Sequence, residues 1–143
     1  FLRRQAQGAA WITSVCTGAL VLGAAGLLDG YRATTHWLSM DLLSRFGAIP
    51  VRERVVIDRN RATGGGVTAG IDFGLRLAAE LRGEKVAKEI QLLMEYDPAP
   101  PYAAGSPAGA GPELVASLTA SRRAIGDERR RIVERAAARL RGP

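Results

Sequence analysis

The chain has 143 residues, of which 47% are hydrophobic and 24% are charged. This length suits one ordinary domain and is too short for two large ones. The longest apolar run, residues 19–28, is interrupted by glycines and is too short to cross a bilayer. We therefore expect no membrane partner. A single cysteine excludes an internal disulfide and fits a reducing compartment, so we expect a cytoplasmic protein.

The positive charge is concentrated at the C-terminal end. The net charge is +6, and residues 112–143 contain eight arginines but only four acids. We interpret this segment as one long helix, 113–140, with a solvated face or an oligomer arm that has pairs such as Arg130 with Glu134. The alternative is a helix that binds RNA or DNA, and because the excess charge is local we do not expect a nucleic-acid partner.

Strands and helices are predicted to alternate along the chain. Short apolar or β-branched runs predict strands at 10–15, 31–37, 54–58 and 61–63, with a hairpin turn between the last two. Helical spacing and glycine stops predict helices at 17–28, 39–46, 68–81, 84–96 and 113–140. This order indicates an α/β fold with a partly parallel sheet.

Local signals refine these limits. Ser39 and Thr68 are predicted to cap the helices that follow them. The proline-rich residues 97–102 are predicted to be extended, and residues 103–111 to form a loop of small residues. The first six residues resemble the last turns of a helix that ends at Gly8, which suggests that an N-terminal portion is missing.

The only cysteine, Cys16, lies at the corner between the first strand and the first helix. A nucleophile at such a sharp strand-to-helix turn is an elbow. The helix N-terminus offers unpaired N–H groups and a dipole that favour an anion, and hence a thiolate. Thr17 follows at once, with an N–H directed at an oxyanion and a hydroxyl able to bond the sulfur. A buried, inert cysteine is the alternative.

Two other features belong to this region in the prediction. His36, the only histidine, ends a predicted strand and is either a base for Cys16 or a histidine bonded to backbone. The triplet Gly64-Gly65-Gly66 is either a loop that lines the Cys16 pocket or a phosphate cradle. It lacks the lysine of a P-loop and the GxGxxG spacing. No cysteine–histidine cluster indicates a metal site.

Several separated motifs resemble those of the ThiJ/PfpI superfamily, which is related in fold to class I glutamine amidotransferases. They are SVCTGA at 14–19, GLLDGYRATTHW at 26–37, TGGGVTAGIDFG at 63–74, and EYDPAPPY at 95–102 with AGSP at 104–107. Together they are most similar to the isocyanide hydratase branch. We therefore divide the chain into 1–111, the C-terminal part of a ThiJ/PfpI-like domain, and 112–143, the Arg-rich helix.

The resemblance implies a flavodoxin-like sandwich with a mostly parallel sheet, a homodimer, a small-molecule substrate and no cofactor. Cys16 is then the nucleophile that attacks an isocyanide carbon, and Thr17 is its hydrogen-bonding neighbour. Gly65, Gly66 and Val67 fall on the pocket loop, and His36 matches a strand-end histidine whose role stays open. The product is an N-substituted formamide, released from a thioimidate by water.

The resemblance also implies a preceding portion with the first strands, an acidic residue that positions water and a glycine of the anion site. No acid in the chain is an obvious substitute, so the chain is either a fragment or a truncated gene product. Two other functions stay open: a sensory domain of an AraC-type transcription regulator, and a cysteine-based redox or stress protein. A regulator needs a helix-turn-helix pair, whereas one long helix is predicted here.

Overall fold

The computed structural model describes residues 1–142. Within them five strands are β1 (Ile12–Val15), β2 (Arg32–Ala33), β3 (Ile49–Pro50), β4 (Val55–Asp58) and β5 (Arg61–Gly64). The helices are α1 (Leu2–Ala6), α2 (Gly18–Ala24), α3 (Ala69–Arg82), α4 (Glu84–Leu93), α5 (Pro107–Ala110), α6 (Pro112–Ser121) and α7 (Arg123–Arg141). A 3-10 helix spans Trp37–Phe46.

The strands form two small sheets of mixed direction. One has the order β1-β5-β4, with β1 parallel to β5 and β4 antiparallel to β5. The other pairs β2 with β3 in parallel. The hairpin turn between β4 and β5 is confirmed, with Arg59 in the left-handed region at φ 54°. The flavodoxin-like α/β class with a partly parallel sheet is also confirmed.

The core lies between β1, α2, the 3-10 helix and α7. Its buried members are apolar side chains from all four elements: Ile12, Ala19, Leu20, Leu22, Met40, Leu42, Leu43, Phe46, Val133 and Ala137. Burial of each large aliphatic side chain stabilises the fold by about 1.5–3 kcal/mol. Because α7 supplies two of these residues, the arginine-rich segment packs as part of the same core.

The predicted single helix 113–140 is wrong. The chain breaks it into α6 and α7 at Arg122, whose backbone leaves the helical region at φ −102°, ψ 7°. The predicted pair of Arg130 with Glu134 is also replaced. Arg130 binds Asp41 of the 3-10 helix instead, with Nη2 2.9 Å from the carboxylate. Contact with a distant element therefore decides the partner of this arginine.

The predicted strand 31–37 contains only the two residues of β2. The next N–H group, that of Thr34, donates at 2.9 Å to the side-chain hydroxyl of Thr63 on β5 and not to a backbone carbonyl of a paired strand. The predicted cap Ser39 is wrong, because the 3-10 helix starts two residues earlier. His36 caps it by accepting from the Leu38 N–H at 3.3 Å. Ser39 is fully buried.

Other boundaries shift for local reasons. Helix α2 ends at Ala24 because Gly26 turns left-handed at φ 72°, and α4 ends at Leu93 before Glu95 at φ 50°. Thr68 does precede α3, but its hydroxyl accepts from the Arg54 guanidinium at 3.3 Å in place of a cap bond. Two elements are missing from the prediction: β3, and α5 within the expected loop. No helix within residues 1–142 is both long and apolar enough to span a membrane.

Candidate active site

Cys16 sits in a strained turn between β1 and α2. Its φ is +58°, in the left-handed region that residues other than glycine rarely occupy. Such a conformation costs about 1–3 kcal/mol and persists only where the surroundings impose it. The geometry is that of the predicted elbow, with Thr17 at the N-cap of α2. The thiol is free and partly exposed.

Hydrogen bonds from two neighbouring segments hold the elbow. The Cys16 N–H donates to the Gly64 carbonyl at the end of β5 (2.9 Å), which continues the parallel β1–β5 pairing. The Thr35 hydroxyl donates to the Cys16 carbonyl at 2.8 Å. Thr35 is 2% exposed, so its hydroxyl has little access to water as an alternative partner. The strain at Cys16 is therefore supported by β5 on one side and the segment after β2 on the other.

Thr35→Val is expected to lower the free energy of unfolding by about 1–2 kcal/mol, because it removes a buried hydrogen bond while preserving shape. It is also expected to change the alkylation rate of Cys16, since the elbow loses one support. Urea unfolding and iodoacetamide kinetics measure the two effects. Thr13→Val, at an exposed position of β1, is the matched control and should change neither. Equal behaviour of the two variants would contradict the role given to Thr35.

Thr17 presents a free donor beside the sulfur. Within residues 1–142 its N–H donates to no backbone carbonyl, and its side chain makes no cap bond to α2. An N–H in the first turn of a helix is suited to an anion because the helix dipole adds to the hydrogen bond. This residue can therefore stabilise negative charge that develops next to Cys16.

His36 is both bonded to backbone and part of the site. Its Nδ1 accepts from the Leu38 N–H, so in the neutral ring the proton resides on Nε2. Burial lowers the pKa of His36 below 6.5, and the positive charge of Arg129 lowers this pKa further. His36 is therefore a neutral donor at pH 7. Among residues 1–142 no hydrogen bond joins it to Cys16.

The glycine loop contributes to the site mainly through its shape. The Gly65 N–H donates to the Arg54 carbonyl at 2.9 Å, and a Cβ at Gly65 would lie 3.6 Å from the same oxygen. A Cβ at Gly66 would lie 3.9 Å from the His36 ring. Val67 is the member of this loop whose side chain lines the Cys16 cavity. Gly65 thus lies against backbone carbonyls, and Gly66 lies beside the histidine ring.

Cys16 opens into a cavity of about 600 Å³. One wall consists of Cys16, Thr17, His36, Leu38 and Val67. The other wall comes from the junction of α6 and α7, where the lining residues are Thr119, Arg122, Arg123, Ile125, Gly126, Asp127, Arg129 and Arg130. Four arginines and one aspartate therefore face the same space as the cysteine.

The sequence interpretation missed this second wall completely. It treated residues 112–143 as separate from the site, and it identified no acid near Cys16, although Asp127 lines the cavity. The contact depends on long-range packing: Arg129 Nη1 donates to the Ser39 hydroxyl at 3.1 Å across 90 positions of sequence. Within residues 1–142 no three metal-ligating side chains form a cluster.

The fold and the elbow define a class of protein: an α/β domain with a free cysteine at a strained strand-to-helix turn. The sequence model of the DJ-1/PfpI family matches residues 1–80. The chain belongs to the DJ-1/PfpI family, as its motifs indicate. A ThiJ/PfpI family protein from Pseudomonas syringae has the same architecture in its crystal structure, with a TM-score of 0.88 and 47% identity over 96% of this chain and 55% of that one.

Two curated relatives differ in function. An isonitrile hydratase from Pseudomonas putida is 57% identical over 98% of this chain and 61% of its own length. The HTH-type transcriptional regulator GbdR from Pseudomonas aeruginosa is 35% identical over 68% of this chain and 27% of its own length. The chain thus spans less than two thirds of either relative.

Proposed function

We propose that the chain carries the nucleophile and substrate pocket of an isonitrile (isocyanide) hydratase. The observation that carries the proposal is a strained cysteine elbow that opens into a cavity of about 600 Å³, in a chain 57% identical to an isonitrile hydratase. A cavity of this size holds a small molecule.

The proposed reaction begins with attack of the Cys16 sulfur on the terminal isocyanide carbon. The S–C bond forms, the carbon takes up a proton, and a thioimidate results. Water then adds to this carbon, the S–C bond breaks, and the thiol returns with release of an N-substituted formamide. The Thr17 N–H stabilises developing negative charge, and neutral His36 supplies a second donor at the cavity wall.

The two alternatives have less support. Two regulator relatives match at 35–36% identity over 63–68% of the chain, compared with 57% over 98% for the hydratase. Residues 112–142 do contain two helices, contrary to the prediction of one. However, Val133 and Ala137 of α7 are buried in the core of the α/β domain, so this helix packs as part of that domain and not as part of a separate helix-turn-helix unit. A redox role for Cys16 is an outcome of the test below.

A homodimer is part of the proposal. Leu92 and Leu93 on α4 are 82% and 88% exposed, and large adjacent apolar side chains of this kind suit a surface that an assembly covers.

The test is conversion of an aromatic or alkyl isocyanide to its formamide, followed by NMR, with the chain before and after alkylation of its single cysteine. We expect turnover before alkylation and none afterwards. Formamide production that survives full alkylation would exclude the thioimidate route. Absence of turnover together with facile oxidation of Cys16 to sulfinic acid would favour the redox alternative.

A further inference from the structure

The reaction proposed for a neutral isocyanide gives the cationic wall of the Cys16 cavity no partner in the substrate. Arg122, Arg123 and Arg129 line the cavity, and none of them forms an ion pair with an acid among residues 1–142. Arg130 is neutralised by Asp41, and Asp127 is the one acid in the lining. Three arginines with one aspartate give this wall an excess of positive charge, although Arg122 and Arg123 are also exposed to solvent.

Arg129 is held in place more firmly than a surface arginine. Its Nη1 donates to the hydroxyl of Ser39, which is 0% exposed. This bond uses one of the five N–H donors of a guanidinium and directs the group at the side of the cavity where His36 lies. The remaining donors form a planar fork that matches a carboxylate.

The reaction geometry relates this wall to the substrate. Cys16 must meet the terminal carbon of the isocyanide, so the substituent on nitrogen extends away from the sulfur into the cavity. The walls are β1–α2 and the His36 segment on one side and the α6–α7 junction on the other. The nitrogen substituent is therefore the part of the substrate that faces the arginines.

We propose that the cavity selects small anionic substrates, namely isocyanides that carry a carboxylate on the nitrogen substituent, and that Arg122, Arg123 and Arg129 bind this carboxylate. The proposal rests on the proposed hydratase function for the reacting group, while the anion selectivity follows from the charges alone. The cavity is also lined by the apolar side chains Leu38, Val67 and Ile125. These can contact a short carbon chain between the isocyanide group and the carboxylate.

The first experiment does not depend on hydratase activity. Cys16 is alkylated with iodoacetate and with iodoacetamide, and the ratio of the two rate constants is compared with that of a neutral thiol, N-acetylcysteine amide. Changes in sulfur reactivity cancel in the ratio. We expect the ratio at Cys16 to exceed the reference about tenfold at low salt and to fall as ionic strength rises. A ratio equal to the reference would overturn the proposal.

Arginine variants locate the effect. The double variant R122Q/R123Q and the single variant R129Q should each lower the ratio of rate constants several-fold toward the reference value. The corresponding lysine variants should keep most of the increase in this ratio. R139Q is the matched control, because Arg139 is an exposed arginine of α7 that does not line the cavity. Circular dichroism confirms folding of each variant. An unchanged ratio in folded R122Q/R123Q and R129Q chains would also overturn the proposal.

The second experiment compares hydration of isocyanoacetate with that of its neutral methyl ester. We expect a KM about tenfold lower for the anion at low salt, with the preference lost in the arginine variants. Equal KM values would reject carboxylate selection while leaving the hydratase function intact. Turnover of neither compound, with the alkylation ratio still high, would reject the hydratase function and leave an anion-selective cysteine site.

Discussion

Cys16→Ala is expected to abolish formamide production, with a loss of about a thousandfold or more, because the thioimidate cannot form without the sulfur. The fold should survive, since the Cys16 N–H and carbonyl keep their bonds to Gly64 and Thr35. NMR quantification of product over a day of incubation measures the residual rate. Urea unfolding establishes that the variant is folded.

Cys16→Gly is the companion variant that separates function from strain. Glycine adopts φ near +58° without the cost that a Cβ imposes. The free energy of unfolding, measured with urea, should therefore be about 1 kcal/mol higher for Cys16→Gly than for Cys16→Ala. Both variants should be inactive. Turnover by either one would contradict the nucleophile assignment, and equal stability of the two would contradict strain at the elbow.

Gly23→Ala is expected to have the largest effect on stability. Gly23 lies in α2 against the buried ring of Phe46, and an added Cβ would lie only 2.8 Å from the ring Cγ. Overpacking of this kind costs about 1–3 kcal/mol, and the gain in helix propensity offsets at most about 1 kcal/mol. The free energy of unfolding should therefore fall, as measured by urea or thermal denaturation.

Gly74→Ala provides the control of opposite sign. Gly74 is an exposed position within α3, and no atom lies within 4 Å of the Cβ that alanine would add. The same substitution should therefore stabilise this helix by about 0.5–1 kcal/mol. A Gly23→Ala variant that is stabilised to the same extent as Gly74→Ala would show that the α2–Phe46 contact does not limit packing.

Features encoded by short segments are those that the sequence predicted well. The elbow at Cys16 depends on an apolar strand followed by Thr17-Gly18, and the β4–β5 hairpin depends on a polar two-residue turn. Helices α3 and α4 were found because their apolar positions have helical spacing over ten or more residues. Each of these signals is local, so no knowledge of distant contacts was needed.

Two of the wrong predictions concern residues that form a hydrogen bond with a residue far away in the sequence, and a third concerns a break within a helix. Thr63 takes the Thr34 N–H and ends β2 early, and Arg129 reaches the buried Ser39 that a local rule assigns to a cap. The break at Arg122 lies in a segment with continuous helical periodicity, so propensity alone predicts one helix. Tertiary contacts compete with the local preference at Thr34 and Ser39.

By itself the sequence determined the class of fold, the elbow that holds Cys16 and the glycine loop that follows β5, because strand, turn and glycine signals are properties of adjacent residues. Only the tertiary structure decided that α7 belongs to the core and that the α6–α7 junction forms the second wall of the cavity. The physical reason is that Val133 and Ala137 find their apolar partners on α2 and the 3-10 helix, about a hundred residues away. Their burial carries four arginines to the site of Cys16.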